Sequence, residues 1–160
     1  MTMDALIAGL QNQSLRIPEE HYANVRRFTM TGQTETKRTR DDIPFERYVD
    51  IWWVSLCIGL REGRRTKVDP NDWHTFVRAG EVLPSNPWRI FQLQLMAIGA
   101  TKGTEVLSKP GELISMANEY AATGLPILLN ELIGSGVPIW AMTAFLEKRF
   151  SGHVISSIDR

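Results

Sequence analysis

Apolar residues between Asp42 and Lys67 recur at steps of three and four, the spacing of a buried helix face. Seven positions share this spacing: Phe45, Val49, Trp52, Trp53, Leu56, Cys57 and Leu60. At 3.6 residues per turn they form one wide apolar face. Asp42 and Pro44 suit the start of a helix, and Gly63 suits its end. The pattern predicts a central buried helix around which the other elements pack.

The same spacing predicts further helices on both sides of the central one. Tyr22, Val25 and Phe28 indicate a helix over residues 19–28. Proline or acidic start signals then predict helices over about 70–79, 87–100, 110–123, 126–133 and 138–150. Gly124 is the predicted end of the helix that starts at Pro110, and Pro126 is the predicted start of the next.

Strict alternation occurs only at residues 14–17, where it allows a short strand or an extended arm. The sequence therefore predicts an all-α fold, a single compact domain of about seven helices with at most one N-terminal strand. We expect residues 1–13 to be a flexible segment, residues 14–150 to form the helical domain, and residues 151–160 to be a C-terminal tail.

Composition places this chain of 160 residues among ordinary globular proteins, with 43% hydrophobic and 22% charged residues. A single cysteine excludes an internal disulfide and favours a reducing compartment. Asp4 lies where a secretory signal would carry positive charge, and the longest apolar runs are too short to cross a bilayer. We predict a cytoplasmic protein without membrane contact.

Positive charge is clustered although the 18 basic and 18 acidic residues cancel. Seven cations lie in two runs that flank the central helix: Lys37, Arg38 and Arg40 before it, and Arg61, Arg64, Arg65 and Lys67 after it. Arginine binds phosphates and carboxylates through a planar fork of donors. These residues are the candidate surface for nucleic acid or a partner protein, and the alternative is a solvated surface that complements the helix dipole.

Catalytic and metal-binding patterns do not occur in this sequence. The three histidines are dispersed, and no phosphate loop or nucleophile elbow is present. Cys57 lies within an apolar run, where a thiol is a poor nucleophile. Arg16 and His21 have the R-x4-H spacing of helical HEPN-type ribonucleases, but Pro18 interrupts it. We predict a non-enzymatic protein without a cofactor, a catalytic residue or a metal site.

Residues 14–28, SLRIPEEHYANVRRF, resemble the strand-then-helix opening of ribbon-helix-helix DNA-binding proteins. The resemblance implies a dimeric regulator that reads DNA through the outward Ser14 and Arg16. The sequence departs from that pattern after residue 28, where a long polar stretch replaces the tight turn before a second helix.

A broader pattern runs from FERYVD through an aromatic helix and GLREGRR to NEYAATGL. The matching positions are Phe45, Asp50, Gly59, Gly63, Arg64, Arg65, Glu119, Tyr120, Ala121 and Gly124. It resembles the small helical proteins encoded beside bacterial DNA phosphorothioation (Dnd-type) defence systems. The resemblance implies an accessory role in phage defence, in contact with DNA or with proteins that act on DNA.

Three functions follow as hypotheses, and a fourth, an enzyme that uses acidic groups such as Glu46, Asp50 and Glu119, has no residue pattern in its support. The first is a non-enzymatic accessory or adaptor protein of a DNA-modification or phage-defence system, with the basic runs as its contact surface. The second is the ribbon-helix-helix regulator. The third is a purely protein-binding subunit, since five tryptophans are many for this length and tryptophan anchors interfaces; exposure of Trp52 or Trp53 would support it. DNA, RNA, protein partners and a second copy remain open as binding partners.

Overall fold

The computed structural model describes residues 2–33 and 39–151. Over these ranges the chain is mainly α-helical, with seven α-helices and one two-stranded antiparallel sheet. The helices are α1 (Met3–Leu10), α2 (Tyr22–Arg27), α3 (Tyr48–Glu62), α4 (Ala79–Val82), α5 (Pro87–Thr101), α6 (Pro110–Ile133) and α7 (Pro138–Phe150). The strands are β1 (Ser14–Pro18) and β2 (Trp73–Arg78). The prediction of a mainly helical fold is confirmed, whereas the sheet makes the stricter all-α description too narrow.

Strand β2 replaces a helix that the sequence predicted at residues 70–79. A helical turn does form at Pro70–Asp72, capped by the Asp69 side chain, but it ends after three residues. The aromatic and β-branched residues that follow favour an extended chain, and β1 supplies a partner, with Ser14 opposite Arg78. The helix prediction is wrong here because long-range strand pairing overrides a local start signal. The short N-terminal strand that the alternation allowed is β1.

Helix α3 begins at Tyr48, later than the predicted start near Asp42. The preceding chain is held extended, because Phe45 forms a bridge with Thr29. The helix start is set by Asp50, whose carboxylate accepts a hydrogen bond from the N-cap N–H at 3.1 Å. The predicted end at Gly63 is confirmed, since that residue has the left-handed φ of 68°.

Helix α6 is one continuous helix of 24 residues, so the predicted break between Gly124 and Pro126 is wrong. Gly124 permits a close approach of α3, because a Cβ built there would overlap the Ser55 carbonyl oxygen. Pro126 removes one helical N–H, and the helix continues because the residues around it, Leu125 and Leu128, are buried in the core. The packing of α6 against α3 outweighs the local break signals.

The hydrophobic core joins α1, both strands and α2 to α3, α5 and α6. We expected residues 1–13 to form a flexible segment, yet Leu6 and Leu10 of α1 are each only 1% exposed. They pack in the same core as Trp52 of α3. Two buried leucines therefore anchor the N-terminal helix.

Helix α7 lies at the margin of this core. Pro138 is its one fully buried residue, and Met142, Phe145 and Leu146 pack against the core half-buried. The predicted tail beyond it, from residue 152 onward, lies outside the described residues. In the part of the chain that the structure describes, no helix is long and apolar enough to cross a membrane.

Candidate functional site

The basic run that follows α3 lies alongside the middle of α6. The Thr66 N–H donates a hydrogen bond to the Glu119 carbonyl oxygen at 3.1 Å. The hydroxyl oxygens of Thr66 and Thr123 are 2.8 Å apart. These bonds hold the segment across α6 and place the neighbouring basic side chains of Arg65 and Lys67 beside the carboxylate of Glu119.

Glu119 forms ion pairs with two of the candidate cations. The Lys67 Nζ atom lies 2.7 Å from Glu119 Oε1, and the Arg65 guanidinium lies 3.4 Å from Oε2. Glu119 itself is only 8% exposed, so its charge needs a partner. Arg65 and Lys67 therefore compensate a buried carboxylate, which leaves less positive charge available to a ligand.

The other two cations of this run have different surroundings. The Arg61 guanidinium lies 5.4 Å from the centre of the Phe150 ring and lines a cavity of about 540 Å³ with Lys148 and Arg149. Arg64 lines a separate cavity of about 730 Å³, which is also lined by four carboxylates, those of Glu19, Glu20, Asp69 and Asp72. Neither Arg61 nor Arg64 is paired with a carboxylate among the described residues. Arg61 and Lys148 therefore keep positive charge between the end of α3 and α7, whereas the acidic lining of the other cavity offsets the charge of Arg64.

Of the first basic run, only Arg40 lies within the described residues, where it pairs with Glu46 at 3.4 Å. Lys37 and Arg38 lie outside them. The structure therefore places Arg61, Arg64, Arg65 and Lys67 around the C-terminal end of α3 but in different surroundings, and it does not relate Lys37 or Arg38 to them.

The predicted DNA-reading strand β1 is hydrogen-bonded along both edges within the chain. One edge pairs with β2. On the other edge the Asn118 side chain accepts from the Arg16 N–H at 2.9 Å and donates to the Ser14 carbonyl at 3.0 Å. A ribbon-helix-helix dimer requires a free strand edge for pairing with a second copy. This geometry does not provide one, although the Arg16 side chain is exposed.

Titratable groups elsewhere support packing and structural pairing. Burial lowers the pKa of His21 and raises the pKa of the Cys57 thiol, which favours the protonated form of the thiol over the nucleophilic thiolate. His74 stacks on Tyr22 and lies 2.9 Å from a Glu19 carboxylate oxygen. Within residues 2–33 and 39–151, no group of three or more His, Cys, Asp or Glu side chains is placed to hold a metal ion.

The protein-binding hypothesis expected Trp52 or Trp53 to be exposed, but two other tryptophans are the exposed ones. Trp52 is fully buried, and its indole N–H donates to Asn118 at 3.2 Å. Trp53 is half-buried under the Arg89 guanidinium. Trp88 and Trp140 are instead 74% and 70% exposed. The apolar surface therefore lies on α5 and at the start of α7.

Helix α5 is apolar on two opposite sides. One side packs in the core through Ile90, Leu93 and Ala97. The opposite side, here called the outer face of α5, consists of Trp88, Phe91, Gln92, Leu95 and Gly99. On it Leu95 is 68% exposed and Phe91 is 45% exposed. From Ile90 to Thr101 the sequence contains no charged residue.

The sequence pattern predicted a helix over residues 87–100 but did not predict that one apolar side of it is exposed to solvent. The available signal was the run of twelve residues without a charge, since an ordinary surface helix carries charges on its solvent side. Two cations flank this run. Arg89 is turned away from the outer face, because its guanidinium lies 2.9 Å from the Asp50 carboxylate, and Lys102 caps the C-terminal end of the helix.

Several of the residues that carry the Dnd-type resemblance meet at the contact between α3 and α6, whereas Phe45 bridges to Thr29 and Asp50 pairs with Arg89 of α5. A Cβ built on Gly59 would overlap the Tyr120 carbonyl, just as one on Gly124 would overlap that of Ser55. Glu119 pairs with Arg65, as described above. Gly59 and Gly124 thus allow two helices to pack closely, and the pair of Arg65 and Glu119 joins the chain after α3 to α6.

Comparison of this chain with protein-family models, with curated proteins and with solved structures gives no match. The function proposed below rests on the chain's own geometry and on the motif resemblance.

Proposed function

We propose that this protein is a non-enzymatic accessory subunit that binds another polypeptide through the outer face of α5. The observation that carries this proposal is the exposure of Trp88, Phe91 and Leu95 on one uncharged helical face. Burying a large apolar side chain is worth roughly 2 kcal/mol. A face with three such side chains in contact with water therefore gains substantially from a partner.

The chemistry of this face favours an apolar helix as the binding partner. Trp88 and Phe91 already contact each other, with ring centres 6.1 Å apart, so little side-chain freedom is lost on binding. Nucleic acid would require cations to meet its phosphates, and the outer face has none. An amphipathic helix offers apolar side chains at the spacing that Trp88, Phe91 and Leu95 can accept.

The cellular setting that we propose is a bacterial DNA-modification or phage-defence system. It is supported by the order of the matched motifs along the chain, from Phe45 to Gly124. The matched residues Gly59, Tyr120 and Gly124 belong to the packing of α3 on α6, so they support a shared fold more directly than a shared contact surface. The setting is therefore an argument from resemblance, separate from the argument for the outer face of α5.

Direct contact with DNA through the basic run is the second candidate function. The observation in its favour is that Arg61, Arg64 and Lys148 have no carboxylate partner among the described residues. Arg65 and Lys67 contribute less, because Glu119 holds them. The contact surface that this candidate requires is smaller than the one predicted from the sequence.

Site-specific photocrosslinking tests the primary proposal. A photoreactive phenylalanine analogue at Leu95, activated in the cells that express the protein, is expected to give one discrete covalent adduct. Asn130, an exposed position on α6, is the matched control and should give none. A second substitution, Trp88→Asp, should remove the adduct from Leu95. Equal labelling from Leu95 and Asn130 would contradict the proposal.

Fluorescence anisotropy tests the second candidate. The purified protein is titrated with labelled duplex DNA, with and without phosphorothioate, at low and physiological salt. If the basic run contacts DNA, binding should weaken with salt, and Arg64→Glu should weaken it further. Arg64 is the informative position, because a change at Arg65 would also disturb Glu119. Binding that Arg64→Glu leaves unaltered would exclude this surface.

A further inference from the structure

We infer that the polypeptide bound by the outer face of α5 is a second copy of this chain, packed through its own α5 in an antiparallel, two-fold symmetric arrangement. This inference rests on the proposed function, since it names the partner of that same face. Its basis is that the outer face of α5 is complementary to itself in charge, in shape and in polarity.

Charge permits the face to meet its own copy. A two-fold axis brings the same surface of both copies together, so a face with a net charge of either sign would repel itself. The outer face of α5 has no charged residue between Trp88 and Gly99. Of the two cations that flank it, Arg89 is paired with Asp50 inside the same chain, and Lys102 caps the C-terminal end of the helix, so an antiparallel pair keeps the two copies of Lys102 at opposite ends. Gln92 lies near the middle of the face, and its amide can both donate and accept a hydrogen bond from an identical amide.

Shape complementarity comes from the two ends of the face. Trp88 projects into solvent at one end, whereas at Gly99, at the other end, a built Cβ would have no heavy atom within 4 Å. The two positions are eleven residues apart, which is about 16 Å along the helix and within about 20° around it. In an antiparallel pair centred between residues 93 and 94, each Trp88 covers the Gly99 of the other copy.

The size of the face predicts a weak dimer. Trp88, Phe91 and Leu95 together offer roughly 400 Å² of exposed side-chain surface per copy, and both copies with their neighbouring residues reach the lower limit of specific interfaces, about 1,000 Å². A dissociation constant in the micromolar range is expected for such an interface. The association should therefore depend on protein concentration.

Exchanging the two end residues tests this arrangement. Sedimentation equilibrium from about 1 to 100 μM measures the dissociation constant of the wild type, of Trp88→Ala, of Gly99→Trp and of the double variant. Trp88→Ala removes the residue that covers Gly99, and we expect binding about 30-fold weaker, the effect of losing a tryptophan anchor. Gly99→Trp places two tryptophans against each other and should also weaken binding.

The double variant, Trp88→Ala with Gly99→Trp, restores a large residue opposite a small one at both ends, so we expect its dissociation constant to return toward that of the wild type. Far-UV circular dichroism and thermal unfolding verify that all four proteins are folded. A wild type that stays monomeric at 100 μM, or a double variant no better than either single one, would overturn the inference.

The crosslinking experiment separates failure of this inference from failure of the proposed function. An adduct from Leu95 at twice the mass of the chain supports the dimer. An adduct with a different polypeptide overturns the dimer but preserves the proposed function. An adduct within the same chain overturns the dimer and does not support the proposed function. No specific adduct together with a monomeric wild type overturns both.

Discussion

Asn118 is the residue at which β1, α3 and α6 are joined by hydrogen bonds. Its side-chain oxygen accepts from the Arg16 N–H and from the Trp52 indole, and its nitrogen donates to the Ser14 carbonyl. The amide thus takes the place of a neighbouring strand along the edge of β1. It also gives the buried indole of Trp52 the acceptor that it needs.

We predict that Asn118→Ala lowers the free energy of unfolding by about 3 kcal/mol, because two donors and one acceptor lose their partner in or near the core. Denaturant unfolding with an unchanged m-value would measure this loss. Asn130→Ala on the exposed side of the same helix is the control, with an expected change below about 0.5 kcal/mol. Equal effects of the two substitutions would disprove this role of Asn118.

Glu119 gives a second prediction at the scale of single residues. Removing both of its cations with Arg65→Ala and Lys67→Ala leaves a nearly buried carboxylate unpaired. We expect a loss of about 2 kcal/mol, less than for a fully buried pair, because Lys67 is largely exposed to solvent. Adding Glu119→Gln should recover part of it, as thermal or denaturant unfolding would show.

Arg64→Ala is the control for that pair of substitutions, since Arg64 has no carboxylate partner among the described residues; its stability should match that of the wild type. A loss in the Arg65–Lys67 double variant that Glu119→Gln does not reduce at all would show that the carboxylate is not the cause.

The sequence could identify the candidate cations, but it could not show which of them are paired within the chain. Arg65 and Lys67 are separated from Glu119 by more than fifty residues, so the pairing depends on where α6 lies relative to α3. The role of Asn118 was not predicted for the same reason, since its partners Ser14 and Arg16 lie over a hundred residues away. Local patterns contain no information about such contacts.

At the scale of elements, α3 and α6 are defined by glycines that act through packing. A Cβ on Gly124 would overlap the Ser55 carbonyl, so we predict that Gly124→Ala costs about 3 kcal/mol by forcing the two helices apart. Gly111→Ala in the first turn of α6 is the matched control, because its new methyl group would meet only the Gln13 side chain at 3.4 Å. Chemical denaturation of both variants is the measurement.

A small or absent effect of Gly124→Ala, comparable to that of Gly111→Ala, would mean that α3 and α6 can separate without cost. The sequence predicted a helix end at Gly124 because glycine has two different uses in helical proteins. Glycine ends helices when it adopts a left-handed conformation, as Gly63 does, and it occurs inside helices when another backbone lies close.

The elements that the sequence predicted correctly are those with strong apolar periodicity. The bodies of α3, α5 and α7 follow their pattern, with boundaries near the predicted ones except at the start of α3. Strand β2 was missed because its formation depends on β1, which lies more than fifty residues earlier. Periodicity therefore predicts the helices that bury an apolar face, whereas the strands depend on pairing between distant segments of the chain.

At the scale of the whole molecule, equal numbers of acidic and basic residues give a formal net charge of zero. A neutral molecule with an uncharged, apolar helix face has little long-range repulsion to keep copies apart. Two kinds of association are therefore possible for this chain, and they respond oppositely to salt. Apolar contact is unaffected or strengthened by salt, whereas contact between cations and phosphates is weakened.

We predict that the dissociation constant of the α5 dimer stays constant or falls as NaCl is raised from 0.05 to 0.5 M, because no charge lies on the contact face. Binding to duplex DNA through Arg61, Arg64 and Lys148 would instead weaken by about 500-fold over the same range, since three phosphate contacts release their counterions. Sedimentation equilibrium and anisotropy on the same preparation measure the two quantities. Self-association that disappears at 0.5 M NaCl would show that charges hold the copies together, and the outer face of α5 would then not be the interface.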